Sequence, residues 1–459
     1  MNTVSRDQAG APVLRVRDYS YTYAGAETPA LAGLDLELGR GECLCLAGAS
    51  GSGKSTLLLA AQGLLSQGQS QGEMALNPPA GDGVAAGLVF QNAETQLLCA
   101  TVEDEVSFGP HNLGWPAELV RRGVARALVD CGLEHLGSRN VEELSAGQKQ
   151  RLALAAVLAM SPRLLLLDEP SAQLDAQGRR DLVAVLGRLK ARGTTLLVAD
   201  HNLAAFASLA DRVAWLRRGR LLWSQPADLD SPPAPQRPSP PAEEVALSVR
   251  GLKVDGPGGR VLDGLDLQVR RGELVHILGA NGAGKSTLLR SLAGLLRPRA
   301  GTVSLAGVGR PRPERLLGSL ALLFQNPQRQ LFEDQVLAEL AFSPRRLGLD
   351  QAQISGRVEE ALALCELEGL ARRSPLALSF GEQHRVALAS LLGCRPRVLL
   401  CDEPFAGLDP AQRRRLLTRL RRLRRQNGTA VVIASHDPLP WPDWAHTRWL
   451  LREGRLVQA

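Results

Sequence analysis

The chain has 459 residues, enough for two or three domains that each bury a core. It is 44% apolar and 22% charged, as globular proteins are, and no apolar run approaches the roughly 18 residues a membrane span needs. A net charge of +7 invites anionic partners, but at 4% aromatic content the stacking platforms of single-strand binders are scarce, so no nucleic-acid partner is expected.

The N-terminal MNTVSRDQAGAP is polar and lacks the apolar stretch of a signal peptide, so a cytoplasmic chain is expected. A buried-strand run, ECLCLAG (42–48), then feeds GASGSGKST (48–56), a GxxxxGK[ST] loop at a strand-to-helix junction. Its glycines let backbone amides turn inward around phosphates, and the following helix N-terminus favours negative charge. Gly48, Ala49, Ser50, Gly51, Ser52, Gly53 and Thr56 would form this cradle, Lys54 would reach the β- and γ-phosphates of ATP, and the Ser55 hydroxyl would bind Mg²⁺. FQNAETQLL (90–98) follows, and then a helical stretch, RRGVARALVDCGL (121–133).

LSAGQKQR (144–151) fits the S-x-x-[EQ] box that opens a helix, and Ser145 and Gly147 at that helix start would make a second anion site. One domain has no need of two γ-phosphate cradles on separate segments, but a head-to-tail pair would. LLLLDEP (164–170) is a buried parallel strand ending in Asp168 and Glu169, the first suited to a Mg²⁺ ion and the second to polarising an attacking water. His201 closes a further strand, LLVADH.

Everything then recurs. Lys285 lies 231 residues after Lys54; Gln325, Ser379 and Asp402 lie 234 after Gln91, Ser145 and Asp168; His436 lies 235 after His201. The second phosphate loop, GANGAGKST, comprises Gly279, Ala280, Asn281, Gly282, Ala283, Gly284, Lys285, Ser286 and Thr287. LSFGEQHR supplies Ser379 and Gly381, VLLCDEP supplies Asp402 and Glu403, and VVIASH ends at His436. Residues 1–225 and 245–459 are therefore expected to be two copies of one domain, joined by a linker over 226–244 with seven prolines. Two phosphate loops at a repeat offset are no accident, so nucleotide binding follows from the residues alone.

The seven cysteines are scattered and unpaired in spacing, which reads as core thiols. The densest basic run, RRRLLTRLRRLRRQ (413–426), puts Leu416, Leu420 and Leu423 on one helical stripe, with arginines expected on a solvated face and contact with lipid headgroups or RNA as the alternative.

In this order the motifs resemble those of ABC ATPases over nearly the whole chain. The resemblance implies an α/β fold: two tandem P-loop NTPase domains, each with a RecA-like α/β core and a helical subdomain. It implies an intrachain ATPase dimer that sandwiches each ATP between one half's P-loop and the other half's signature. Lys54, Gln91, Asp168, Glu169 and His201 would then face Ser379 and Gly381, while Lys285, Gln325, Asp402, Glu403 and His436 face Ser145 and Gly147. Asp175 and Asp409 would lie at the interface. Gln91 and Gln325 would link Mg²⁺ and the attacking water to the helical subdomain, and both histidines would contact the γ-phosphate. Tyr23, eight residues before Leu31, looks like the adenine-stacking aromatic, and the same count back from Leu262 gives Val254.

The segments FQNAETQLLCATVEDEVSFGPHNLG and FQNPQRQLFEDQVLAELAFSPRRLG are similar to one seen in ATPases of energy-coupling-factor importers. That subfamily takes up vitamins or transition-metal ions through a transmembrane coupling subunit and a membrane substrate-binding subunit, with the ATPases at the cytoplasmic face of the membrane. The alternative is a soluble double-ABC ATPase acting on ribosomes. Against it stands the short, proline-rich linker, where a long charged helical one is expected.

Overall fold

The computed structural model describes residues 11–77, 83–172, 174–201, 203–223, 239–256, 259–305, 308–309 and 316–458. Residues 226–238 of the expected linker lie outside this set, as do Gln173 and Asn202. Contacts divide the chain into two compact units, Met1–Pro232 and Pro233–Ala459.

The first unit contains β1 (Leu14–Tyr23), β2 (Leu31–Leu38), β3 (Cys43–Ala47), α1 (Lys54–Gln62), β4 (Gly68–Leu76), β5 (Ala86–Val89), α2 (Val102–Asn112), α3 (Ala117–Cys131) and α4 (Ala146–Leu158). It ends with β6 (Leu164–Asp168), α5 (Ala176–Ala191), β7 (Thr195–Ala199), α6 (Leu203–Phe206), β8 (Arg212–Arg217) and β9 (Arg220–Leu222). One sheet has the order β5-β6-β7-β3-β8-β9, parallel except for the final hairpin; a second, antiparallel sheet has the order β2-β1-β4. Every residue of β3, β6 and β7 is buried, because a parallel strand covered on both faces must be apolar throughout. One core packs α1 and the antiparallel sheet against one face of the parallel sheet, and the other packs α2–α5 against the opposite face.

The second unit repeats this order with β10 (Val245–Gly256), β11 (Gly259–Arg270), β12 (Leu274–Leu278), α7 (Lys285–Leu292), β13 (Ala300–Leu305), β14 (Val308–Gly309) and β15 (Leu320–Leu323). Then come α8 (Val336–Arg346), α9 (Gln351–Cys365), α10 (Phe380–Leu392), β16 (Val398–Asp402), α11 (Pro410–Asn427), β17 (Ala430–Ser435), β18 (Thr447–Arg452) and β19 (Arg455–Gln458). The sheets run β15-β16-β17-β12-β18-β19 and β11-β10-β13-β14. The expected helical subdomains are α2–α4 and α8–α10, with α3 and α9 beginning a few residues before the stretches read from sequence. All seven cysteines are free and six are buried.

Two expectations need correction. The leucine stripe of α11 is buried as expected, but its arginines do not all face solvent. Arg413 pairs with Asp437 (3.1 Å), Arg419 pairs with Glu366 (2.8 Å), and Arg424 is buried. Of the eight arginines in 413–425, only Arg415, Arg422 and Arg425 are exposed. The second correction concerns Val254. Strand register pairs Tyr21 with Leu31 and Val254 with Leu262, so Val254 matches buried Tyr21, and the counterpart of Tyr23 is Gly256. The second hairpin is two residues shorter, which defeats a count made from the far strand.

Candidate functional site

The phosphate loops connect β3 to α1 and β12 to α7. Each helix is capped by a glycine with positive φ, Gly53 at 106° and Gly284 at 97°. A β-carbon on Gly53 would fall 2.5 Å from the Ala30 carbonyl, so only glycine lets the loop turn there. The lysines curl back into their own loops. Lys54 Nζ donates to the carbonyls of Gly48 (2.8 Å) and Ala49 (3.2 Å), and Lys285 Nζ to those of Gly279 (2.7 Å) and Ala280 (2.9 Å).

The acids at the ends of β6 and β16 meet these lysines. Lys54 lies 3.4 Å from Glu169, and Lys285 lies 3.0 Å from Glu403. Both glutamates sit at positive φ, 45° and 47°, with their N–H groups bonded to Ala199 and Ala434 on the adjacent strands. That backbone conformation is costly for a side-chain-bearing residue, and its occurrence at both positions marks a constrained site. Burial by itself pushes both glutamates up, but the histidine and lysine beside each outweigh it and hold the carboxyls below their usual range. Asp168 is different. Burial pushes it up to about 6, against the Ser55 hydroxyl bonded to it and the Lys54 charge. Asp402 rises for the same reason, with Ser286 as its partner.

Asp168 Oδ1 and Asp402 Oδ1 are buried acceptors without hydrogen-bond partners among the described residues. Each stands beside a serine hydroxyl, so the available donor atoms are all oxygen. That chemistry fits a hard divalent cation such as Mg²⁺.

The two clusters are wired differently. Gln91 Nε2 donates to Glu169 Oε2 (2.9 Å), and His201 Nδ1 lies 3.5 Å from the same oxygen. In the second unit His436 takes over that oxygen. Its Nδ1 donates to Glu403 Oε2 at 2.8 Å and its backbone N–H at 3.2 Å, while Gln325 is exposed and makes no such bond. The Tyr23 hydroxyl lies 3.1 Å from Thr56 Oγ1, and its ring, 40% exposed, stacks edge-on against Tyr21 beside the phosphate loop.

Ser145 and Ser379 do open helices, but they are engaged differently. Gln148 N–H donates to Ser145 Oγ (3.3 Å), and Gln148 Oε1 accepts from Ser145 N–H (2.9 Å). At Ser379 the Glu382 carboxylate accepts from both the backbone N–H (2.9 Å) and the hydroxyl (2.7 Å). Asp175 and Asp409 serve as N-caps of α5 and α11.

The repeated FQN phrase holds itself in place, which sequence reading missed. Gln96 donates to Leu88 O and accepts from Phe90 N–H; Gln330 does the same with Leu322 and Phe324. Buried Glu105 accepts from the N–H groups of Leu98 (2.8 Å) and Cys99 (2.7 Å), and buried Glu339 from those of Phe332 and Glu333 (both 2.9 Å). The signal was available: in both copies the second glutamine falls five residues, and the glutamate fourteen residues, after the first glutamine.

A mostly parallel α/β sheet whose phosphate loop faces a strand-end Asp-Glu pair, present once in each unit, defines a P-loop nucleotide hydrolase. The ABC transporter family profile matches residues 31–172 and 262–406, more than half of the chain, and the chain belongs to that family. It is 35% identical to an ABC transporter ATP-binding protein of Methanosarcina mazei, over 97% of this chain and 94% of the relative. It is 37% identical to one of Methanosarcina acetivorans, over 97% and 90%. Among solved structures, cbiO1 of Clostridium perfringens, part of the cbiONQ ABC transporter complex, is 33% identical with a TM-score of 0.44, covering 47% of this chain and 88% of its own. The protein is thus an ATPase, the ATP-binding component of an ABC transporter. Relatives along the full length are transporter proteins, which gives the ribosomal alternative no support.

Proposed function

We propose that this chain is the fused ATPase of an energy-coupling-factor-type importer, working at the cytoplasmic face of the membrane on a transmembrane coupling subunit and a membrane substrate-binding subunit. The cargo class is a vitamin or a transition-metal ion. The observation that carries this reading is the apolar surface just after each FQN phrase. Leu98 is 72% and Phe108 45% exposed; Phe332 is 60% and Phe342 37% exposed, their rings 4.7 Å apart edge to face. Exposed apolar side chains on the glutamate-anchored loops and on the helices α2 and α8 that follow them, repeated in both copies, are what a membrane protein's docking segments would grip.

In this reading Lys54 and Lys285 neutralise the β- and γ-phosphates, and Asp168 with Ser55, or Asp402 with Ser286, hold Mg²⁺. Mg²⁺ when bound would neutralise charge developing on the phosphates. Glu169 and Glu403, kept ionised by their cationic neighbours, orient and polarise the attacking water. His201 and His436 steer those carboxylates and reach the γ-phosphate. Ser145 with Gly147, and Ser379 with Gly381, complete the nucleotide sites of the opposite half. The hydroxyl of Ser379 is already committed to Glu382, and Gly256 gives adenine no ring to stack on. The two sites therefore turn over at unequal rates.

Affinity purification of the full chain from solubilised membranes tests the assignment. A polytopic coupling protein and a small substrate-binding membrane protein are expected to co-purify; ribosomal proteins in their place sink the reading.

A further inference from the structure

The two units solve one structural problem in opposite ways. In the first, Cys43 N–H at the start of β3 donates to Asp211 Oδ2 (2.8 Å), and Lys190 from the end of α5 pairs with Asp211 Oδ1 (2.7 Å). In the second, Leu274 N–H at the start of β12 donates to His446 Nδ1 (3.0 Å), and the cation from the end of α11 is Arg424. A histidine thus replaces the carboxylate. With Nδ1 accepting from the backbone, the other ring nitrogen, Nε2, lies between Ser239 O (3.0 Å) and Arg424 Nη1 (2.8 Å).

Arg424 is 5% exposed; it donates to Ser239 O, Gly272 O and Ser239 Oγ, and its Nη1 lies 2.8 Å from His446 Nε2, so none of its partners carries a negative charge. Among the described residues it has no carboxylate partner, and its Nε has no hydrogen-bond partner. Burial, then the charges of Arg421 and Arg425, weigh against its own charge. A buried cation without a counter-charge is expensive, and the molecule has left room beside it for one.

That room is a cavity of about 440 Å³ lined by Ser239–Ala242, Arg271–Gly272 and Arg424–Gly428. Arg271 and Arg425 stand exposed on its wall, and among the described residues the one acid bonded to them is Glu244, 3.3 Å from Arg271. The cavity borders the residues that precede β12 and β17, whereas the phosphate loop follows β12. It is therefore at the opposite end of the parallel sheet from the ATP site.

We propose that this cavity is a binding site for a phosphate-bearing small anion, which supplies the counter-charge that Asp211 gives in the first unit. Bound there, the anion ties the stretch 239–242, at the entry to the second domain, to the end of α11. The site is independent of the transport reading above.

Phosphate titration by calorimetry tests this, using the full chain saturated with Mg²⁺ and a non-hydrolysable ATP analogue so that both phosphate loops are filled. Wild type is expected to bind inorganic phosphate. The double substitution Arg271→Ala/Arg425→Ala should weaken binding at least about tenfold, the scale of one lost charge-assisted bond. His446→Asp, which restores the internal carboxylate, should weaken it similarly while leaving the fold and the ATPase rate intact. Absence of phosphate binding in wild type overturns the proposal, as does wild-type affinity in both variants.

Discussion

Glu169 and Glu403 occupy matched strained positions, yet Glu169 is held by a glutamine and Glu403 by a histidine. If both polarise water, Glu169→Gln and Glu403→Gln should each lower steady-state ATPase, and the pair together by about 100-fold or more. A single variant that keeps the full rate marks its site as non-hydrolytic. Asp168 supports a separate prediction. With its carboxyl raised from 3.8 to about 6, the folded protein holds a proton that the unfolded chain has lost across that interval. The stability this confers is complete below pH 3.8 and is lost as pH rises through 6. Above that, the folded protein carries a desolvated charge. In EDTA, Asp168→Asn should raise stability by about 1–3 kcal/mol at pH 8, and less as pH falls through the same interval. Denaturant titrations at pH 8 and pH 5 check it; an equal gain at both would refute the cause. The same variant should lose Mg²⁺-dependent ATPase.

At the scale of elements, the FQN loops show how much of a functional-looking repeat is scaffolding. A single buried carboxylate oxygen of Glu105 takes two backbone N–H groups, fixing the loop to the first turn of α2. Glu105→Gln should cost about 1.5–3 kcal/mol and speed hydrogen exchange at the Leu98 and Cys99 amides. Unchanged protection would mean the loop is held by other contacts. Nucleotide affinity should hold, because Glu105 touches no residue of the phosphate loop. The repeated spacing was visible in the sequence, but its meaning was not. A polar residue conserved between two copies reads equally as a partner contact or as an internal strut, and burial of the side chain is what separates them.

For the whole molecule, each unit carries its own pair of cores and its own sheet order. Each half should therefore fold without the other. A protease site placed in the 226–244 linker tests this and the fusion together: after cleavage both halves should keep their thermal transitions. ATPase should become concentration-dependent, since the tether's effective concentration is gone. A collapse of either half on cleavage would show that it depends on the other for its core.

The sequence by itself determined the duplication, the phosphate loops, the strand-end acids and the helical subdomains, because each rests on local patterning that survives in a linear string. Gly-rich turns, continuous apolar strands and capping boxes are short-range physics. Only the tertiary structure decided which side chains share a charge. The pairing of Glu403 with His436, the engagement of Ser379 by Glu382, the match of Tyr23 to Gly256 and the burial of Arg424 all depend on register and on how strands and helices pack. Arginines that read as a solvated run became internal struts, because charge content is legible in sequence while its compensation lies in neighbours brought from elsewhere in the chain.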